Sequence, residues 1–300
     1  MYGIEIISMK IFHILLLSLT SLFLSCTSGV KLKFEKFVVK DELNDVIYYI
    51  GYSDILNYEK FVFFIRGTGR VDASHDFGMG AEASLFGYSL VYPQKSYLDN
   101  EREYFIHDNR QQRMHDNKIV IEDLIKKGAK KILLLADSEG TMLAPEIAVE
   151  YSNYICGLVC MGGSVSTFEE NLLYTVSNKK GIFTNTEDLG ILTNKISEIY
   201  SDPDNVNKEF LGHPYKFWSS YLKYNHSSDL KKLSCPILYI NGENDDLDIM
   251  KQIIDIQKMQ KNGINIEQIV YPGIGHQMKA ERKKLSKDIL DWAVRNKIID

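Results

Sequence analysis

The sequence predicts an α/β fold built on a mainly parallel sheet covered by helices on both faces. Short apolar runs recur along the chain and alternate with segments of helical spacing. Several runs, such as residues 61–65 and 132–136, are apolar throughout, the pattern of strands buried on both sides. At 300 residues, 45% hydrophobic and 25% charged, the chain can bury one large core.

The elements follow in order. Residues 46–51 and 61–65 read as early strands and 89–92 as the next. Residues 119–127 read as a helix, because Ile121, Leu124 and Ile125 share a face and Gly128 lies just past its end. Residues 131–136 form a strand that stops abruptly at Ser138, and residues 141–151 continue as a helix. Pro145 inside that helix is expected to cost one backbone hydrogen bond and to kink it. Residues 155–161 are a further apolar run.

The strand pattern then lapses from 164 to 233, in a polar and aromatic stretch with helix-length pieces such as 189–200. Strand runs return at 235–241 and 264–271. The chain closes on an amphipathic helix with Leu285, Ile289 and Trp292 on one face.

Three of these runs end in residues that suit one chemistry. The first ends in Ser138, with Gly140 two positions on; the second in Asp245; the third in His276. A serine hydroxyl is a weak nucleophile near neutrality and needs an imidazole to take its proton. The imidazole needs a carboxylate to fix its tautomer and stabilise the imidazolium. Each residue also has a plainer reading. Ser138 could cap a helix, Asp245 could form a turn beside its rivals Asp246 and Asp248, and His276 could be a loop histidine. All three at the ends of apolar runs favour the chemical reading.

The order Ser138, Asp245, His276, with the A-x-S-x-G turn, resembles that of the α/β-hydrolase serine esterases. The similarity runs from about Lys31 to the C-terminus. Ala136-Asp-Ser-Glu-Gly-Thr-Met-Leu-Ala-Pro145 is similar to the G-x-S-E-G elbow of a bacterial esterase subgroup, departing from it at Ala136, Asp137 and Thr141. Residues 61–69 resemble the segment after the third strand, and Gly273-Ile-Gly-His276 the histidine loop.

The resemblance implies an α/β-hydrolase fold with a helical cap insertion at about 165–230. It implies an acyl-enzyme mechanism on a small-molecule acyl substrate, most readily an ester. Peptidase, thioesterase or acyltransferase use of the triad, or a non-catalytic binding protein on the same scaffold, are the alternatives. It also implies an oxyanion hole formed by two backbone amides: that of Glu139, and that of Thr68 with Gly69 as rival. Gly67-Thr68-Gly69 could equally be a plain turn. No cofactor and no metal are implied.

A formal charge of −5 with no basic stripe argues against a nucleic-acid partner. Residues 11–24 form an apolar run, short of the roughly 20 residues a membrane span needs, with the shape of a secretory h-region. Ser25-Cys26 after it resembles the lipobox of a bacterial lipoprotein, which makes Cys26 a candidate for lipidation and residues 1–26 an export signal. The expected location is therefore outside the cytoplasm, with membrane contact through the anchor only; a simple Sec signal or an uncleaved anchor are the other readings. Translation could begin at Met9, since Glu5 does not suit a signal's start. Residues 31–300 would form the hydrolase domain. Cys156, Cys160 and Cys235 read as buried thiols; on a regular strand Cys156 and Cys160 share a face about 13 Å apart, too far to bridge.

Overall fold

The computed structural model describes residues 30–180, 189–278 and 281–299; the export-signal and Cys26 readings lie outside the described residues. The strands are β1 (Lys33–Val39), β2 (Val46–Tyr52), β3 (Lys60–Ile65), β4 (Ser89–Pro93), β5 (Lys131–Asp137), β6 (Ile155–Met161), β7 (Glu209–Phe210), β8 (His213–Pro214), β9 (Ile237–Gly242) and β10 (Ile266–Tyr271). Eight of them form one sheet in the order β1-β2-β4-β3-β5-β6-β9-β10. β2 runs antiparallel to β1 and β4, and the remaining neighbours are parallel.

The helices are α1 (Glu101–His107), α2 (Arg110–Lys126), α3 (Ala144–Glu150), α4 (Phe168–Ser177), α5 (Leu189–Ser201), α6 (Tyr215–Tyr221), α7 (Ser227–Leu230), α8 (Ile249–Lys261) and α9 (Arg282–Arg295). The central strands send alternate side chains into two cores. Phe61, Phe63, Ile132, Leu134 and Tyr239 pack on one face with residues of α2, α3 and α8. Val62, Phe64, Leu133, Leu135 and Leu238 pack on the other with Leu285, Ile289 and Trp292 of α9. Burial on both faces explains why these strands carry no polar alternation.

Four sequence expectations change. β1 is an additional edge strand, obscured by Lys33, Glu35 and Lys36 around its one deeply buried residue, Phe34. The helix expected from 119 begins at Arg110, capped by the Asn109 side chain on Gln112 N–H. Its first half buries Arg113, Asp116 and Asn117 with a single apolar residue, Met114, so apolar periodicity did not reveal it.

The helix expected at 141–151 is divided: a tight 3₁₀ turn over Ser138–Met142 precedes α3, and Pro145 falls in the first turn of α3. There the missing N–H is not needed, so Pro145 starts a helix instead of kinking one. Finally, the β5–β6 register slips between Ile132↔Ile155 and Leu133↔Gly157. That slip puts Cys156 against one core and Cys160 in the other, not on one face. Cys160 is buried, while Cys156 and Cys235 are half-buried free thiols.

Between β6 and β9 the chain forms α4 to α7 and the β7–β8 hairpin. Its ring Phe217 packs on both Trp218 and Tyr221, with Phe168 against the last two.

Candidate active site

The central strand β5 ends at Asp137, and the chain turns at once. Ser138 has φ of +49°, a left-handed conformation that a non-glycine residue holds only where its surroundings impose it. A Cβ on Gly140 would lie 2.2 Å from the Ile65 carbonyl oxygen. Only glycine lets the turn sit this close to the end of β3. Ala136, in β5 two residues before Ser138, is fully buried, so a small side chain meets the demand there. The Thr141 hydroxyl donates to the Ser138 carbonyl at 2.6 Å and closes the turn.

The three chain segments converge. Ser138 Oγ lies 3.0 Å from His276 Nε2. His276 Nδ1 lies 3.0 and 3.2 Å from the two carboxylate oxygens of Asp245. Asp245 is fully buried and accepts the Leu247 N–H at 3.3 Å. Its hydrogen bond to His276 is the main cause holding that imidazole's pKa above 6.5, against the opposing effect of burial. Of the two rival acids, Asp248 caps α8 by accepting the Lys251 N–H, and Asp246 lines the cavity beside the triad.

Thr68 and Glu139 line the same cavity as Ser138, whereas Gly69 does not. A Cβ on Gly67 would lie 2.9 Å from Ser138 Cβ, so the loop presses directly on the serine. Arg66 fixes the loop's shape, donating to the carbonyls of Val71 and Asp72 at 2.8 and 2.6 Å and pairing with Asp76 at 3.0 Å.

The Glu139 side chain has partners that the sequence did not indicate. Its Oε1 accepts from Arg113 Nη1 at 2.9 Å and from the Tyr221 hydroxyl. Burial pushes this carboxyl up, but the charges of Arg113 and Lys95 outweigh burial and hold it low. Burial likewise pulls Lys95 down to about 8. Asn109 as the cap of α2 was the one available sequence signal for Arg113, which follows one turn later.

The cavity above Ser138 measures about 410 Å³. Met142, Phe168, Leu172 and Leu247 supply apolar wall, with Phe168 and Leu172 coming from the insert between β6 and β9. Buried His226, also from the insert, brings its Nε2 to the Ser164 carbonyl. Among the described residues no group of His, Cys, Asp and Glu could hold a metal ion, and no helix is long and apolar enough to cross a membrane.

Residues 184–297 match the sequence model of the prolyl oligopeptidase family, a stretch that includes Asp245 and His276 but begins after Ser138. No curated protein matches the chain in sequence. Among solved structures it is similar to a highly thermostable carboxyl esterase from Bacillus coagulans, at 14% identity and TM-score 0.60 over 88% of this chain and 98% of that one. It is similar to a proline iminopeptidase from Mycobacterium smegmatis, at 13% identity and TM-score 0.56 over 87% and 98%. An acylaminoacyl peptidase from Pyrococcus horikoshii matches at 14% identity and TM-score 0.60, over 88% of this chain and 42% of that one. The chain has the α/β-hydrolase fold: a mostly parallel central sheet flanked by helices.

Proposed function

We propose that the protein is a serine hydrolase that cleaves carboxylic esters through an acyl-enzyme. The observation that carries this reading is the relay from Asp245 through His276 to Ser138, with 3.0 Å at each step. In this reading the carboxylate fixes the Nδ1–H tautomer and leaves the Nε2 lone pair facing the hydroxyl. Ser138 Oγ attacks the substrate carbonyl while His276 takes its proton. The amides of Glu139 and Thr68 hold the oxyanion, each such donor contributing roughly 3 kcal/mol in the transition state. His276 then protonates the departing alkoxide. It next deprotonates a water, which attacks the acyl carbonyl, releases the acid and restores Ser138.

The cavity suits a neutral acyl group. Its walls are largely apolar, the acids Asp245 and Asp246 stand at one side, and no lysine or arginine lines it among the described residues. Peptide or amide cleavage is the second reading, supported by the prolyl oligopeptidase match over residues 184–297. The apolar run at 11–24 and Cys26 support an exported, lipid-anchored protein.

A fluorophosphonate probe is expected to label the wild-type protein at Ser138 and to leave Ser138→Ala unlabelled. An unreactive wild-type protein would instead make this a binding protein on a hydrolase scaffold. Rates on p-nitrophenyl esters compared with aminoacyl anilides separate the esterase reading from the peptidase one.

A further inference from the structure

We propose that Arg113 is a positioning residue that holds both halves of the oxyanion hole in register, with Glu139 and the cap residue Tyr221 completing the clamp; this rests on the serine-hydrolase reading above. Arg113 projects from the first turn of α2 and is 4% exposed. Its Nη1 donates to Glu139 Oε1 at 2.9 Å. Its Nη2 donates to the Arg66 carbonyl. Glu139 immediately follows the nucleophile, and Arg66 lies two residues before Thr68. One planar guanidinium therefore ties the elbow to the loop after β3, the two segments whose amides are assigned to the oxyanion.

The geometry is hard to obtain from another side chain. A guanidinium presents donors in a rigid fork, while a lysine ammonium is a point charge on a flexible stem. The Tyr221 hydroxyl adds a third attachment, donating to the same Oε1 from α6 of the insert. Thr68 and Glu139 line the same cavity as Ser138. Arg66 supports the arrangement from the other side of the loop through Val71 and Asp72. The carboxylate is 5% exposed as a residue, and a purely structural ion pair has no need to sit on the peptide next to the nucleophile.

Arg113 donates nothing to the substrate in this arrangement. Its effect is on where two N–H groups point, so its loss should weaken binding of the tetrahedral state and leave ground-state binding alone. An amide displaced by about 1 Å costs on the order of 10²-fold in rate, comparable to losing one oxyanion donor.

The test uses the full chain and active sites counted by end-point reaction with a fluorophosphonate. Arg113→Lys and Tyr221→Phe are measured first. The paired change Arg113→Met with Glu139→Gln removes both charges together and so avoids stranding a buried carboxylate. In the paired variant kcat per titrated site should fall about 100-fold with KM unchanged. Affinity for an arylboronic acid, whose serine adduct mimics the tetrahedral intermediate, should fall by a similar factor. Arg113→Lys should restore only part of kcat.

Wild-type kcat per site in the paired variant would overturn the proposal. So would a loss confined to the number of titratable sites, or a rise in KM with boronate affinity unchanged. A wild-type protein that hydrolyses no acyl substrate would instead overturn the underlying reading.

Discussion

Gly242 offers a test of how the histidine is held, at a position 34 residues away from it in sequence. It ends β9, three residues before Asp245. A Cβ there would lie 2.1 Å from the Ile274 carbonyl oxygen, 2.6 Å from its carbon and 2.7 Å from the Gly275 oxygen. Carbon–oxygen contacts ordinarily settle near 3.3 Å or beyond, and all three atoms are backbone. In Gly242→Ala the loop must therefore retreat by about 1 Å.

That loop carries His276, whose Nε2 stands 3.0 Å from Ser138 Oγ. The same loop is tied to the acid's segment by Asn244 N–H donating to the Ile274 carbonyl at 2.8 Å, so the retreat strains both sides of the triad. A displacement of this size costs on the order of 10²-fold in kcat, or about 2.7 kcal/mol of barrier. The assay is p-nitrophenyl ester hydrolysis per titrated active site, with thermal unfolding recorded alongside. Gly275→Ala is the control. Its Cβ would meet the Asn244 oxygen at 3.8 Å, an ordinary contact, and the variant should keep most of its activity although it adjoins the histidine. Wild-type kcat in Gly242→Ala, or an equal loss in Gly275→Ala, would refute the reasoning.

The hydrogen bond and charge of Asp245 favour the protonated imidazole of His276. Because the base must be neutral, kcat/KM should rise through a midpoint above pH 6.5, and a midpoint at or below that value would contradict the geometry. Asp245→Asn should lower kcat by about 10⁴-fold, as in the trypsin-type triad, because the amide no longer fixes the tautomer; a loss below tenfold would remove Asp245 from the mechanism. Burial pushes the Cys160 thiol up to about 12, so a disulfide reagent followed by peptide mapping should modify it only after unfolding. Leu134→Ala, in the middle of β5 and fully buried, should cost about 2–5 kcal/mol in urea unfolding, with the fluorophosphonate site intact below the transition.

What the sequence made legible was whatever the two cores demanded. β3, β5, β6 and β9 are apolar on both faces and were readable as runs, and the residues at their carboxyl ends brought Ser138 and Asp245 into view. His276 became visible the same way, as the residue closing the loop after β10. Edge elements behaved differently. β1 buries one deep side chain, Phe34, among charged neighbours, and that is too little to leave a pattern. The first half of α2 was hidden for the opposite reason: it is buried, but mostly through Arg113, Asp116 and Asn117 with Met114 as the lone apolar residue among them, and hydropathy reads the polar three as solvent-facing. The Cys156–Cys160 error came from a register slip whose cause lies in β5 pairing, beyond what either cysteine's neighbours encode.

The insert between β6 and β9 serves two purposes, and the second constrains the first. Phe168 and Leu172 of α4 form cavity wall, which makes them the natural positions at which acyl preference would diverge. Yet α4 packs through Phe168 on Trp218 and Tyr221 of α6, and Tyr221 reaches Glu139 beside Ser138. A change at Phe168 therefore reaches the elbow through its ring contact with Tyr221. Leu172 lines the cavity with an aliphatic side chain and is not one of the stacked rings, so trimming it enlarges the cavity while leaving the Phe168–Tyr221 ring pair in place. Leu172→Ala should shift preference toward bulkier acyl chains at nearly constant boronate affinity, whereas Phe168→Ala should alter both together. Measuring acyl-chain profiles and boronate affinities for the two variants decides the point, and identical behaviour of the two would dissolve the coupling between wall and elbow.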